Sequence, residues 1–118
     1  SSSIAYTGSP NSSVYNASKA ALNSLAKTSA FELAPRGIRV NVVCPGVVDT
    51  PILGKTGFPD EVIKEFKEGM KKKVPLNRFG TSDEIAKLIA FLSSEDASYI
   101  TGSDYIADGG LNLNPLVA

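Results

Sequence analysis

Between Ser13 and Ala34 the apolar residues recur at helical spacing, but they are not confined to one stripe. Val14, Ala17, Ala21, Leu22, Leu25, Ala26 and Phe31 spread around much of the circumference. A helix apolar on two faces is packed on both, inside a large fold or against another subunit. Asn11, Ser12 or Ser13 can cap it, and Pro35-Arg36-Gly37 ends it. The pattern then becomes continuous. Ile38 to Cys44 is short, β-branched and bounded by Gly37 and Pro45-Gly46, which predicts a parallel-sheet strand buried on both faces.

From Pro45 to Pro59 periodicity fades among three prolines and three glycines, as in a long functional or mobile loop. Helical spacing returns at Asp60 to Lys73, with Val62, Phe66 and Met70 on one stripe. Asp60 and Glu61 begin that helix and Lys71-Lys72-Lys73 finish it, matching the helix dipole. The lysine run therefore reads as a solvated helix end rather than a phosphate patch. Thr81-Ser82-Asp83-Glu84 is a capping box opening a helix to about Ser94, with Ile85, Leu88, Ile89 and Leu92 on its buried face. Gly102 to Ala107 predicts a last strand closed by Asp108-Gly109-Gly110, and the residues after Leu111 read as a tail. Helix, strand, helix, helix, strand is half of an α/β alternation. Two strands are too few for a stable sheet by themselves.

The 118 residues are 42% hydrophobic, enough for one packed domain. Twelve basic residues balance twelve acidic ones, which argues against nucleic acid or an anionic membrane as partner. No apolar run approaches the roughly 20 residues of a membrane-spanning helix. The chain has no histidine, which removes Ser-His-Asp hydrolysis, Cys-His proteolysis and most zinc sites; no metal is expected. The single cysteine, Cys44, lies in an apolar run and reads as a packing residue. The sequence opens on Ser1 in mid-pattern, as a piece of a longer chain or a processed product would.

Tyr15 and Lys19 stand four apart in the first turns of the first helix, so both side chains leave the same face. A phenol is a poor acid at neutral pH, but a nearby ammonium favours its ionised form. Such a pair can exchange a proton with a carbonyl or alcohol oxygen. Taken alone, the spacing is a weak signal.

Other residues fall in register with it. Ser2 lies thirteen residues before Tyr15, and the run Tyr15 to Ala21 reads Tyr-Asn-Ala-Ser-Lys-Ala-Ala. Asn41 to Thr50 contains the Pro-Gly-x-x-x-Thr turn; Arg78-Phe79-Gly80, Tyr99 to Gly102 and Asp108-Gly109-Gly110 follow in order. In this combination the chain resembles the classical branch of the short-chain dehydrogenase/reductase family over essentially its whole length. The resemblance implies an α/β fold: the C-terminal part of a Rossmann-like, doubly wound parallel sheet whose first half is absent, with residues 1–118 forming part of one catalytic domain. It implies an oxidoreductase that interconverts a carbonyl and a secondary alcohol with NAD or NADP. Tyr15 would be the general acid/base, Lys19 would hold the nicotinamide ribose, and Ser2 would orient the substrate oxygen. Pro45, Gly46, Val48 and Thr50 would meet the nicotinamide. The helix carrying Val62, Phe66 and Met70, with Phe58, would form a lid. Ile52 and Leu53 lean the pocket toward apolar or acyl substrates, among them a 3-oxoacyl thioester, a steroid, a sugar or a small ketone.

In such enzymes the glycine-rich phosphate turn, the residue choosing NAD or NADP, and a catalytic asparagine lie upstream of the segment matched here. The isolated 118 residues are therefore expected to bind cofactor poorly and to be inactive. Similar proteins also imply a homo-oligomer, a dimer or tetramer, built on the first helix and last strand. The free cysteine suits the cytosol or an organelle matrix. Two other readings keep the fold: a non-catalytic binding or assembly module, and an extended epimerase or dehydratase, which the Asp-Gly-Gly ending and short C-terminal part fit less well.

Overall fold

Two pairs of parallel strands organise the chain, whose structure, a computed structural model, describes residues 1–113. In order the elements are α1 (Ser13–Leu33), β1 (Val42–Pro45), β2 (Val48–Asp49), α2 (Asp60–Lys73), β3 (Gly80–Thr81), α3 (Ser82–Ser93) and β4 (Asp104–Ala107). Short 3-10 turns occupy Ser3–Tyr6, Ala34–Arg36, Pro51–Lys55 and Glu95–Ala97. β1 pairs with β4, Val42 opposite Asp104 and Pro45 opposite Ala107. β2 pairs with β3. β2 lies inside the segment expected to be loop, and its pairing with β3 fixes the stretch after Gly46 beside the start of α3.

The first strand is shorter than the expected 38–44. Gly102, at φ 74°, turns the partner chain just before β4, so Val40 meets only the Gly102 N–H and the Thr101 hydroxyl. Val42 and Cys44 are buried, whereas Val43 and Pro45 remain half-buried, so burial on both faces is not completed within the chain. The same holds for α1. Asn23 and Ala30 face inward, but Val14, Leu25 and Phe31 are 82%, 62% and 85% exposed. The radius of gyration, 16.1 Å, exceeds the about 13–14 Å of a compact domain of this length. Among the described residues no helix is long and apolar enough to cross a membrane.

Helix ends follow local chemistry. Ser12 precedes α1, yet its hydroxyl donates to Pro10 O rather than capping the helix. Gly37, at φ 72°, closes the helix end by donating to Ala34 O. α2 has Asp60 and Glu61 in its first turn and its three lysines in its last. Thr81 and Glu84 form the complete capping box of α3.

Arg78 grips the same Glu84 with two hydrogen bonds of 2.7 and 2.8 Å. These bonds, with the Thr81 N–H, hold the Glu84 carboxyl down from its ordinary 4.5 to about 2. The folded state thus favours the ionised form. Its stabilising contribution is fully present above about pH 4.5 and is lost as pH falls through about 2. Melting temperature should therefore drop across that window, and the drop should be shallower in Glu84→Gln. Equal slopes in the two proteins would refute the assignment.

Candidate active site

Ser2 is carried to the edge of the sheet by its neighbours. The Ser1 main-chain nitrogen donates to Val43 O at 3.0 Å, and the Ser1 hydroxyl lies 3.4 Å from Lys19 O on α1. Ser2 then caps the 3-10 turn Ser3–Tyr6, its Oγ accepting the Ile4 N–H at 3.3 Å. The lone pair used in this way leaves the hydroxyl proton free to donate elsewhere. Asn16 Nδ2 donates to Thr7 O, which fastens the far end of the turn to α1.

Tyr15 is half exposed, and Lys19 Nζ stands 5.3 Å from the centre of its ring. The two side chains therefore share a face of α1, as one helical turn requires, and the ammonium lies within cation–π range. A cleft of about 990 Å³ opens beside them. Ser2, Tyr15, Gly46, Val48 and Thr50 all line it, whereas Lys19 reaches it only through the Tyr15 ring. Pro45 does not line it; this residue sits at the end of β1 on a separate groove with Ile85 and Ile89. Ile52 and Leu53 form part of the wall, and from α2 the wall receives Phe66 and Met70. Phe58 and Val62 do not line the cleft and are largely exposed. α2 buries no residue fully, and of its apolar stripe Phe66 and Met70 line the cleft.

Gly46 has a structural reason to be glycine. A Cβ there would stand 2.4 Å from Asp108 Cβ and 2.7 Å from Asp108 Cα. Asp108 is itself fixed, because its carboxylate accepts the Gly110 and Asn112 N–H groups at 2.9 and 2.8 Å. That clamp folds Leu111, Asn112 and Leu113 back into the cleft wall, correcting the reading of a tail after Leu111. Residues 114–118 of the expected tail lie outside the described residues.

Tyr6, Phe79, Lys67 and Asn112 also line the cleft, and none was singled out for it by the sequence. The Tyr6 hydroxyl donates to Asp104 Oδ2 and accepts from Asn23 Nδ2 at 3.2 Å, with Cys44 Sγ 3.9 Å away. Burial, and next the bond to Asp104, pushes this phenol well above the usual range, so it stays a donor. One signal was legible: an aspartate at 104 is out of character in a short strand.

With the geometry in view, comparison with known proteins is decisive. A family profile described as Enoyl-(Acyl carrier protein) reductase matches residues 1–112. The chain is 46% identical over 110 residues to human "Dehydrogenase/reductase SDR family member 4", covering 93% of this chain and 38% of that protein. The chain belongs to the short-chain dehydrogenase/reductase family. It is also 42% identical over 111 residues to the 3-oxoacyl-[acyl-carrier-protein] reductase of Thermotoga maritima, covering 94% of this chain and 43% of the relative. The ligand-free aldohexose dehydrogenase of Thermoplasma acidophilum superposes with a TM-score of 0.89 at 35% identity, covering 100% of this chain and 48% of that one. Acetoin dehydrogenase of Enterobacter cloacae gives 0.79 at 41% identity, over 99% and 44%. The fold is thus α/β, part of the family's doubly wound Rossmann-like sheet, and the chain spans about two fifths of the curated relatives it matches.

The donor set suits one end of a nicotinamide dinucleotide. Tyr15, Thr50, Gly46 and Val48 line the cleft and the Lys19 ammonium stands against the Tyr15 ring, a set of hydroxyl, cationic and main-chain groups that fits ribose hydroxyls and a carboxamide. Among the described residues that line the cleft, there is no glycine-rich turn at a helix N-terminus for a pyrophosphate.

Proposed function

We propose that this chain supplies the catalytic half of an NAD(P)-dependent oxidoreductase interconverting a carbonyl and a secondary alcohol. The observation that carries the reading is the convergence of Ser2 and Tyr15 on one cleft, with Lys19 against the Tyr15 ring. The substrate oxygen is held between the Ser2 hydroxyl, whose own lone pair is engaged by Ile4, and the Tyr15 hydroxyl. Tyr15 gives its proton to that oxygen during reduction and takes one back during oxidation. Lys19 and Thr50 hold the ribose and carboxamide ends of the nicotinamide nucleotide, which when bound supplies or accepts the hydride. Phe66 and Met70 of α2, with Ile52 and Leu53, exclude water and favour an apolar or acyl ketone.

Names of relatives support this class: a 3-oxoacyl-[acyl-carrier-protein] reductase and an acetoin dehydrogenase are among them. Assembly as a dimer or tetramer through α1 accords with the exposed Val14, Leu25 and Phe31. We place the protein in the cytosol or an organelle matrix, which its free, buried cysteine suits.

The test is NADH- and NADPH-linked turnover of small ketones and 3-oxoacyl thioesters, with the chain alone and joined to the first half of the Thermotoga reductase. The fused protein should turn over. The isolated 118 residues should bind either nucleotide at least tenfold more weakly, since among the described residues no phosphate-binding glycine-rich turn lines the cleft. Absence of turnover in the fused protein, with nucleotide bound, would sink the reading.

A further inference from the structure

We propose that Tyr6 is a positioning residue, a strut from the sheet to the serine-bearing turn that sets Ser2 relative to Tyr15. This inference rests on the oxidoreductase reading above.

Three segments distant in sequence meet at the Tyr6 hydroxyl. It donates to Asp104 Oδ2 on β4 and accepts from Asn23 Nδ2 on α1 at 3.2 Å. Asp104 is held from its other side by Lys27 Nζ, 3.4 Å from Oδ1. Asn23 is only 7% exposed and the Asp104 side chain 14%, so neither partner is free to swing away. The phenol thus ends in a fixed socket.

Its other end is the last residue of the 3-10 turn Ser3–Tyr6, for which Ser2 is the cap. That turn is short, and its main-chain bonds are few: Ala5 N–H to Ser2 O at 3.2 Å and Thr7 N–H to Ile4 O at 3.1 Å. A single such turn does not hold itself. Its flanks are tied to α1 at Thr7 O and through Ser1, and among the described residues it is the Tyr6 hydroxyl that bonds the turn itself to β4 and to Asn23 of α1. Tyr6 is still 43% exposed and lines the same cleft as Ser2 and Tyr15. Removing the hydroxyl therefore frees the turn to shift within the cleft wall. A misplacement of about 1 Å in a reacting group costs up to about 10²-fold in rate.

The experiment compares Tyr6→Phe with the unaltered full chain in the form that turns over. We expect kcat to fall about tenfold while both KM values stay within about twofold, because the displaced group acts on the reacting oxygen. Asp104→Asn, which keeps an oxygen for the phenol, should retain more turnover than Asp104→Ala. Amide hydrogen exchange gives a readout independent of chemistry: Ile4, Ala5 and Thr7 should exchange about tenfold faster in Tyr6→Phe, with the centre of α1 unchanged. A wild-type kcat in Tyr6→Phe, or unchanged exchange in the turn, would overturn the strut. A lowered melting temperature with wild-type kcat marks a merely structural tyrosine and overturns it too. Should the unaltered chain show no turnover that depends on Tyr15, it is the oxidoreductase reading that fails.

Discussion

Replacing Tyr15 with phenylalanine is expected to lower carbonyl reduction by about 10²–10⁴-fold, the range a positioned general acid contributes. The substitution removes one oxygen and leaves the ring beneath the Lys19 ammonium, where the separation is 5.3 Å. Packing and the cation proposed to hold the ribose are therefore preserved, and nucleotide affinity should stay within about threefold. Loss of kcat with retained nucleotide binding isolates the proton-transfer role, since an interaction made only in the transition state lowers kcat and kcat/KM together. The measurement is the steady-state absorbance change of the reduced nucleotide, paired with a fluorescence titration of binding. A variant that keeps half of its kcat would remove Tyr15 from the mechanism. Unaltered kcat together with lost oligomerisation would favour a binding or assembly module of the same fold.

The largest structural effect is expected at Gly46→Ala. The added methyl would overlap Asp108 Cβ at 2.4 Å and its Cα at 2.7 Å, and a backbone atom cannot swing aside as a side-chain tip can. β1 and β4 would have to part where Gly46 N–H meets Ala107 O at 3.0 Å. Overpacking of this kind costs about 1–3 kcal/mol or more. For a domain of this length that is a fall of about 4 °C in melting temperature per kcal/mol, measurable by circular dichroism. The same strain would tilt Val47 to Thr50 and loosen the clamp by which Asp108 holds Asn112. A melting temperature within about 2 °C of the wild type would show that the strands relax at little cost.

Both variants touch residues that stood out before any coordinates, and the reason is physical. A Tyr and a Lys one helical turn apart must share a face, and Thr81 and Glu84 carry their capping box in four consecutive residues. Spacing along one element is local information. α2, with its acidic start and lysine-rich end, was equally visible, and its bounds agree with the periodicity. What escaped depends on contacts between distant segments. β2 and β3 are two residues each, too short for a period to register, and they exist because they find each other across the turn of α2. The demand for glycine at 46 comes from Asp108, and the fate of Leu111 to Leu113 from the same carboxylate. Tyr6 and Asp104 are 98 residues apart, and no pattern in either segment announces that they meet. α1 shows the complementary failure. Its apolar residues spread over two faces, and the described residues cover only one of them, leaving Phe31 85% exposed.

Cys44 deserves a practical conclusion. Carried on β1, its thiol is sealed, with 0% exposure and the Tyr6 hydroxyl 3.9 Å away, and it is the one sulfhydryl in the sequence. An alkylating reagent can reach it only while that seam is parted, so the labelling rate clocks how often the two sides separate. Nature has thereby installed a spectator probe at the junction where strand, turn and phenol meet, and it requires no engineered tag.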